Sequence, residues 1–275
     1  VSALGCYDSN PESGDDLDAA RDKSLSLIAQ VPVLIATFHR LRQGKEVLQS
    51  DPELSEAANF LWLINGEKPS ADMERTIDIC YILHADHGFN ASTFSSRVTI
   101  ATLTDVYSAV TSAIGTLKGP LHGGANEGVI KMLHEIGEVD KVDGYVEDCL
   151  ANKQRIMGIG HRVYTTLDPR APHLKKMAQK LTNELGETKW IDMSERIAEL
   201  MKEKKNLNAN VDFYSATVYY SLGIPTDLFT PIFAIARTAG WTAHILEHLD
   251  GNRLIRPKAA YAGDEGKEWV PIENR

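Results

Sequence analysis

The chain has 275 residues and a mass of 30.4 kDa, and its 29 Lys and Arg residues against 38 Asp and Glu residues leave a formal charge of −9. A chain of this length exceeds the usual size of a single core, so one large domain and one smaller domain are expected. The acidic balance argues against a nucleic-acid or acidic-membrane surface, because such partners are held mainly by clustered Lys and Arg side chains.

Apolar residues recur at helical spacing almost throughout, and helix caps rather than hairpin turns separate the runs, which predicts an all-α protein. The first predicted helix, or pair of helices, is broken or kinked at Pro32 and ends at Gly44. Its inner face is expected to carry six apolar residues: Leu17, Leu25, Ile28, Leu34, Phe38 and Leu41. A second helix is predicted to start at Asp51-Pro52 and to stop at Asn65-Gly66.

Later helices carry the polar residues that need an explanation. Ser70 caps a helix whose apolar face includes His84, and a segment rich in Ala, Ser and Thr, 91–117, is expected to be helical. A sharp glycine-rich turn at 119–124 leads back into helical spacing. Helices are also predicted over 168–181, 190–201 and 233–249, with a single strand-like piece around Arg162 to Thr166.

Cysteine content and hydropathy indicate the compartment. Cys6, Cys80 and Cys149 are odd in number and far apart, with no Cys-x-x-Cys spacing, which fits a reducing environment. The sequence shows no signal peptide and no stretch of about 18 apolar residues. These features predict a cytoplasmic protein that does not span a membrane.

Four segments place catalytic residue types where predicted helices stop, which is where side chains reach a cleft. They are 84–87, 119–126, 158–161 together with Arg170, and 210–212 together with Arg237. Each has an alternative interpretation. His84 is compatible with a buried core histidine, His87 with a helix cap, the glycines with a tight turn, and His-x-x-His with zinc, although no matching ligand set accompanies it. Arg237 lies within an apolar helix, where it needs an anion, because an unpaired buried charge is very costly.

Taken together and in this order, the segments closely resemble the citrate synthase family. The matching stretches are HADHGFNASTF (84–94), GPLHGGANEG (119–128), GIGHRVY (158–164) with DPR (168–170), NVDFYSA (210–216), and TPIFAIARTAGWTAHILEH (230–248) with IRP (255–257). The resemblance implies a nearly all-helical fold with a small domain at 125–231 and a large domain formed by 1–124 and 232–275. Family chains usually carry further helices before the position that matches Val1, so the resemblance predicts an N-terminally incomplete fragment.

The resemblance also implies a reaction and the residues that perform it. Family members join the methyl carbon of acetyl-CoA to the ketone of oxaloacetate and then hydrolyse the thioester. Asp212 is implied as the base, His122 as the donor to the enolising carbonyl, and His161 as the group that protonates the ketone. His122 precedes a helix N-terminus, which favours a neutral imidazole. Asp212 opens a helical run, so its strength as a base is expected to come from desolvation when the domains close.

Substrate binding is implied as well. Oxaloacetate carries two carboxylates, which planar arginine forks match, and Arg170, Arg237 and Arg256 correspond to the family's carboxylate-binding arginines. His87 corresponds to an additional substrate histidine. The Arg256 equivalent commonly enters the partner subunit's site, which implies a homodimer.

For coenzyme A, Thr165 and Leu167 depart from the family pattern, so no residue is assigned to its binding. No metal or redox cofactor is implied, and acyl-CoA enters as a co-substrate. A 2-methylcitrate synthase acting on propionyl-CoA, a helical substrate-binding module without catalysis, and a metal hydrolase remain as alternatives.

Overall fold

The structure is a computed structural model that describes residues 1–8, 16–161, 164 and 166–275. Within these residues no strand is present, and a lone antiparallel bridge joins Ile159 to Ala209. The all-α prediction is therefore confirmed. The described helices are α1 (Leu17–Arg42), α2 (Glu56–Asn65), α3 (Ala71–Ala85), α4 (Ala91–Ile100), α5 (Val106–Leu117), α6 (Ala125–Ile136), α7 (Val142–Ala151), α8 (Ala171–Leu185), α9 (Lys189–Lys205), α10 (Val211–Ser221) and α11 (Phe229–Leu249), with short 3₁₀ turns at Ser2–Tyr7, Val139–Lys141, Thr226–Leu228 and Ile272–Asn274.

Helix α1 differs from its prediction in two respects. It is continuous through Pro32, and four of the six residues expected on its inner face are exposed, namely Leu25, Leu34, Phe38 and Leu41. The buried face instead carries Leu27, Val31 and Ala36 together with the polar Lys23 and Arg40. The prediction was wrong because these polar groups have partners elsewhere in the chain: Lys23 pairs with Asp8 at 2.7 Å, and Arg40 donates to a carbonyl at the end of α2.

Several boundaries were predicted correctly. Ser70 caps α3, since its hydroxyl accepts from the backbone of Met73, and Gly66 ends α2 in the left-handed conformation that glycine adopts readily. Other boundaries shifted. Ser55 rather than Asp51 caps α2, because Asp51 closes a turn with Glu53 instead, and residues 101–105 divide the 91–117 segment into two helices.

Further boundaries differ toward the C-terminus. Helix α8 continues to Leu185, α11 begins at Phe229, and α7 was not predicted. Three residues of the strand-like piece at 162–166, Arg162, Val163 and Thr165, lie outside the described residues.

The packing brings the ends of distant helices together. Helix α10 lies between α6 and α8, and α11 packs along α1, α3, α4 and α5. One core of buried side chains extends from Val31 to Ile235 and so includes residues of both predicted domains. A second core joins α1, α4, α5 and α11 around Trp241, which is fully buried. The division at 124/125 and 231/232 stays a prediction.

Helix α1 is long and apolar enough, by length and composition, to cross a membrane. The prediction that no segment has this property was therefore too strict. Core helices of soluble proteins pass the same test, and α1 packs along α11 with a buried face that includes Lys23 and Arg40.

Candidate active site

A cavity of about 920 Å³ opens between the loop that joins α3 to α4, the turn before α6, the segment before α8, the first turn of α10 and the N-terminal half of α11. Its lining includes six of the seven residues predicted from the sequence: His87, His122, His161, Arg170, Asp212 and Arg237. The seventh, Arg256, lies outside it. Two other cavities, of about 610 Å³ and 390 Å³, contain none of the seven. The distant motifs thus fold into one cleft.

A short backbone pairing holds His161 next to Asp212. The amide of Gly160 donates to Asn208 at 2.8 Å, and the amide of Asn210 donates to Gly158 at 2.9 Å. The Asn210 side chain donates to the carbonyl of Gly160 at 2.8 Å and accepts from the amide of Asp212 at 3.0 Å. One asparagine therefore caps α10 and ties it to the loop that precedes His161.

This loop requires glycine at position 158. Its φ is +74°, and a Cβ there would lie 2.7 Å from Val129 and 2.8 Å from the ring of Phe213. Any side chain would push the loop away from α6 and α10. The glycines of the GIG segment thus allow the close approach that places His161.

Asp212 occupies the first turn of α10 and is half-buried in the cavity wall. Desolvation raises its pKa to about 6, which Arg170 opposes and Asp168 assists. The sequence predicts that this desolvation comes from closure of the domains. The structure already places the carboxyl where burial outweighs the favourable field of the helix N-terminus, so it is poised to accept a proton near neutral pH.

The two imidazoles are held as opposite tautomers. The backbone amide of Tyr164 donates to Nδ1 of His161 at 3.1 Å, which leaves the proton on Nε2. The backbone amide of Ser92 donates to Nε2 of His122 at 3.3 Å, which leaves the proton on Nδ1. Burial lowers the pKa of both rings, so each is neutral at physiological pH and can donate one hydrogen bond.

The cause of the His122 shift differs from the expectation. Helix α6 begins three residues later, at Ala125, but the pKa of His122 is lowered by burial first and by the charge of Arg237 second. The hydroxyl of Ser92, 2.8 Å from Nε2 of His122, accepts a hydrogen bond from the indole of Trp241 at 3.0 Å. The amide and hydroxyl of Ser92, which are neutral groups, therefore hold the imidazole of His122 in place.

The two cavity arginines have different partners. Arg170 forms a two-point ion pair with Asp168, with its Nε and Nη2 3.0 and 2.8 Å from the two carboxylate oxygens. Arg237 is only 1% exposed, and its Nε donates to the carbonyl of His84 at 2.7 Å. Within the described part of the chain no carboxylate lies within 4 Å of its guanidinium, and burial lowers its pKa to about 10. It remains charged and suits an incoming anion.

Three residues of the site were missed. The hydroxyl of Tyr164 lies 3.1 Å from Nε2 of His87. Arg155 lines the cavity, and Asp168 supports Arg170 through their ion pair. Tyr164 and Asp168 lie inside the quoted motifs, which could have indicated them. Arg155 carries no signal in the sequence beyond its proximity to the GIG segment.

His84 has the buried role that the sequence analysis kept open. Its Nδ1 donates to the carbonyl of Cys80 at 2.8 Å, and burial lowers its pKa to about 3. It supports the end of α3 that carries His87. Among the described residues no group of three or more His, Cys, Asp or Glu side chains could hold a metal ion.

Arg256 lies beyond α11, where it is exposed and donates to the carbonyl of its neighbour Pro257 at 2.6 Å. Thr165, in the segment examined for coenzyme A contacts, lies outside the described residues. Leu167, in the same segment, is 49% exposed.

Comparison with known proteins agrees with this geometry. The family described as "Citrate synthase, C-terminal domain" matches residues 1–258. The chain belongs to the citrate synthase family. It is 54% identical to citrate synthase 2 of Bacillus subtilis over all 275 residues, which span 74% of that protein. It is 43% identical to 2-methylcitrate synthase 1 of Corynebacterium glutamicum, again over the whole chain and 73% of that protein.

A solved citrate synthase structure from Thermoplasma acidophilum, in a ternary complex with carboxymethyl coenzyme A and oxaloacetate, has a TM-score of 0.89. It is 33% identical, and the match covers 98% of this chain and 73% of that chain. The fold and the family predicted from the motifs are confirmed. Membership makes the chain one of the enzymes that condense an acyl-CoA with oxaloacetate.

Proposed function

We propose that the chain condenses acetyl-CoA with oxaloacetate and hydrolyses the resulting thioester to citrate and coenzyme A, which makes it an acyltransferase that converts the acyl group into an alkyl group on transfer. The observation that carries the proposal is the convergence of one raised-pKa carboxyl, two neutral imidazoles of opposite tautomer and two arginines in a single cavity. These are the groups that the reaction needs.

The first step is enolisation of the thioester. Asp212 takes a proton from the methyl carbon, and the Nδ1–H of His122 donates to the thioester oxygen as negative charge develops there. A carboxyl with a pKa of about 6 is mostly ionised at neutral pH yet is a stronger base than an ordinary aspartate.

The second step forms the carbon–carbon bond. The enol carbon attacks the ketone carbon of oxaloacetate, and the Nε2–H of His161 donates to the ketone oxygen as it becomes an alkoxide and then a hydroxyl. Water finally hydrolyses the thioester, which releases coenzyme A. The chain's groups alone move the protons, so the proposal includes no metal or redox cofactor.

Oxaloacetate is held through its two carboxylates. Arg170 keeps the outer edge of its guanidinium available while Asp168 holds the inner edge, and Arg237 offers a charge without a carboxylate partner. His87 completes the polar lining. The charge of Arg155 at the same cavity suits the phosphates of coenzyme A.

We further propose that the chain is a homodimer in which Arg256 completes the partner's site. The segment after α11 exposes five large apolar side chains, and such surface is normally covered by a partner; they are Leu254, Tyr261, Trp269, Val270 and Ile272. A dimer with a mobile small domain at 125–231, acting in the cytoplasm, is the state in which we expect the enzyme to work.

A subunit-mixing experiment tests the shared site. Asp212→Asn and Arg256→Gln subunits, each inactive alone, are mixed after mild dissociation. In the mixed dimers one site receives intact Asp212 and intact Arg256, so about a quarter of wild-type turnover is expected to return. No recovery, with mixed dimers demonstrated by mass, would assign both residues to the same subunit's site, and an Arg256→Gln enzyme that is active alone would remove Arg256 from the site.

The chemical proposal is tested by coenzyme A release from oxaloacetate with acetyl-CoA and with propionyl-CoA. One extra methylene alters discrimination by only about 1 to 3 kcal/mol, so both rates are needed. Faster release with acetyl-CoA supports citrate synthesis, and faster release with propionyl-CoA favours the 2-methylcitrate alternative, which the Corynebacterium relative keeps open. Binding of oxaloacetate without release from either thioester would indicate a binding module.

A further inference from the structure

Asp168 is the most extensively bonded carboxylate at the cavity, and the proposed reaction gives it no step. It is 1% exposed and precedes α8 in the DPR segment. Its Oδ1 accepts from the amide and the Nε of Arg170, each at 3.0 Å, and its Oδ2 accepts from Nη2 of Arg170 at 2.8 Å. A fourth donor, the amide of Val211, reaches Oδ2 at 3.2 Å from 43 positions further along the chain.

The contact with Arg170 sets the direction of the guanidinium. A two-point pair through Nε and Nη2 fixes the plane of the fork and uses two of its five donors. The remaining edge, with Nη1 and the second Nη2 hydrogen, is left facing the cavity that Arg170 lines. Without Asp168 the guanidinium of Arg170 would rotate about its side-chain bonds. The bound ligand would then have to order this guanidinium.

The hydrogen bond from the amide of Val211 to Asp168 fixes the start of α10, the helix that carries the proposed base Asp212. Val211 is the first residue of α10 and Asp212 is the second. Asn210 ties the same turn to the His161 loop, so the carboxylate of Asp168 closes a frame that joins three segments. The charge of Asp168 also acts directly on the carboxyl of Asp212. The other groups that interact with this carboxyl are Arg170, Arg237 and Tyr219.

We propose that Asp168 is a positioning residue that couples substrate recognition to base placement, because one buried carboxylate orients the Arg170 fork toward oxaloacetate and anchors the helix turn that carries Asp212. This inference rests on the proposed function of the site. It assigns Asp168 no contact with substrate. Its effect therefore passes through Arg170 and Asp212, and it is expected to appear both in oxaloacetate binding and in the pH dependence of turnover.

The primary test is Asp168→Asn, which keeps the shape and removes the charge. We expect the KM for oxaloacetate to rise about tenfold or more, because an amide presents a donor where Arg170 or Val211 needs an acceptor. The acid limb of kcat against pH is expected to move to lower pH by about half a unit, because a negative neighbour of Asp212 is lost. A purely structural role would lower the melting temperature without moving either quantity in the folded fraction.

The matched control is Asp143→Asn. Asp143 forms the same two-point contact, with Nε and Nη2 of Arg196 at 2.7 and 2.5 Å, but on the exposed surface of α7 and α9. Its KM and pH profile are expected to equal those of the wild type. In an Arg170→Lys background, Asp168→Asn is expected to alter the KM less than twofold, since the residue through which Asp168 acts has been changed.

A second variant and a second measurement cover the remaining outcomes. If Asp168→Asn does not fold, Asp168→Glu retains the charge and displaces it, and the KM is expected to rise while the acid limb stays in place. Calorimetric titration with oxaloacetate measures the Arg170 effect even if the wild type releases no coenzyme A, an outcome that would reject the proposed function alone. Oxaloacetate affinity and KM within twofold of wild type in both Asp168 variants would overturn the inference.

Discussion

The two walls of the cavity hold their charges differently. The wall formed by residues 158–161, 164, 166–170 and α10 pairs Arg170 with Asp168 and places the carboxyl of Asp212 beside them. The opposite wall, formed by α3, the 119–124 turn and α11, holds Arg237 by a carbonyl and a ring, that of Phe233, 4.9 Å from the guanidinium carbon. Among the described residues, only the first wall places a carboxylate within 4 Å of its buried arginine, whereas Asp86 and Asp212 act on Arg237 from a greater distance.

This difference indicates where binding energy can be gained. A buried charge without an ionic partner costs stability in the free protein, and a bound carboxylate removes that cost. The Arg237 wall is therefore expected to respond most strongly to an anionic ligand, whereas the Arg170 wall is already ordered. Substitutions in each wall therefore test this difference.

Asp212→Asn on the paired wall is expected to lower turnover by about 10²- to 10⁴-fold, as for loss of a positioned base. The affinity for oxaloacetate should stay nearly intact, because the arginines of both walls remain. Steady-state kinetics of coenzyme A release and calorimetry check the two parts. Asp18→Asn, an exposed first-turn aspartate of α1, is the control, and near-wild-type turnover of Asp212→Asn would remove it from the role of base.

Replacing each arginine by methionine compares the walls directly. Arg170→Met leaves the buried Asp168 without its cation, which is expected to cost about 3 to 5 kcal/mol of unfolding free energy. Arg237→Met loses a hydrogen bond to a carbonyl, worth about 1 kcal/mol, and relieves the burial of a charge, so its stability is expected to match or exceed the wild type. Urea denaturation at pH 7.5 measures both, and equal losses would contradict the difference between the walls.

Gly240→Ala tests the helix contact behind the unpaired wall. A Cβ at Gly240 in α11 would lie 2.1 Å from the carbonyl oxygen of Ala85, at the end of the helix that leads to His87. Because backbone cannot move aside cheaply, we expect a loss of about 1 to 3 kcal/mol. Gly115→Ala is the control, since Gly115 is an exposed position within α5 with nothing within 4 Å of its added Cβ, and alanine there is expected to stabilise by about 0.5 to 1 kcal/mol.

The sequence predicted the helical fold because its signals are local, whereas the meeting of the six site residues was implied only by the resemblance of their motifs to the citrate synthase family. Ser70 starts α3 and Gly66 ends α2, each through contacts a few residues away. Most of the motif residues lie near helix ends. The inner face of α1 could not be predicted from hydropathy, because Lys23 and Arg40 are buried by partners that lie far from the helix positions they occupy.

The contacts of the supporting residues could not be predicted for a related reason, although Asp168 itself lies inside a quoted motif. The hydrogen bond from Val211 to Asp168 spans 43 positions, and that from Trp241 to Ser92 spans 149. Neither has a periodic or spacing signal in the chain. Residue types identify which groups can react, whereas their tautomers and pKa values depend on contacts that only the folded chain makes.

The last effect concerns the pH dependence of stability. Asp212 and His84 make it change in opposite directions. The folded pKa of Asp212, about 6, lies above the value near 3.9 expected in the unfolded chain, so between these pH values the folded protein binds the extra proton and its stability falls as pH rises. Burial lowers the pKa of His84 to about 3, so below pH 6.5 the unfolded chain binds more protons and stability falls as pH drops.

Asp212→Asn removes the first dependence and keeps the second. The variant is therefore expected to be more stable than the wild type by about 2 kcal/mol at pH 7.5 and equal to it at pH 4, with a steeper loss of stability on acidification. Urea denaturation at the two pH values, with Asp18→Asn as the control, measures this difference. The same stability difference at both pH values would show that the Asp212 carboxyl has an ordinary pKa, and its strength as a base would then have to arise only when substrates bind.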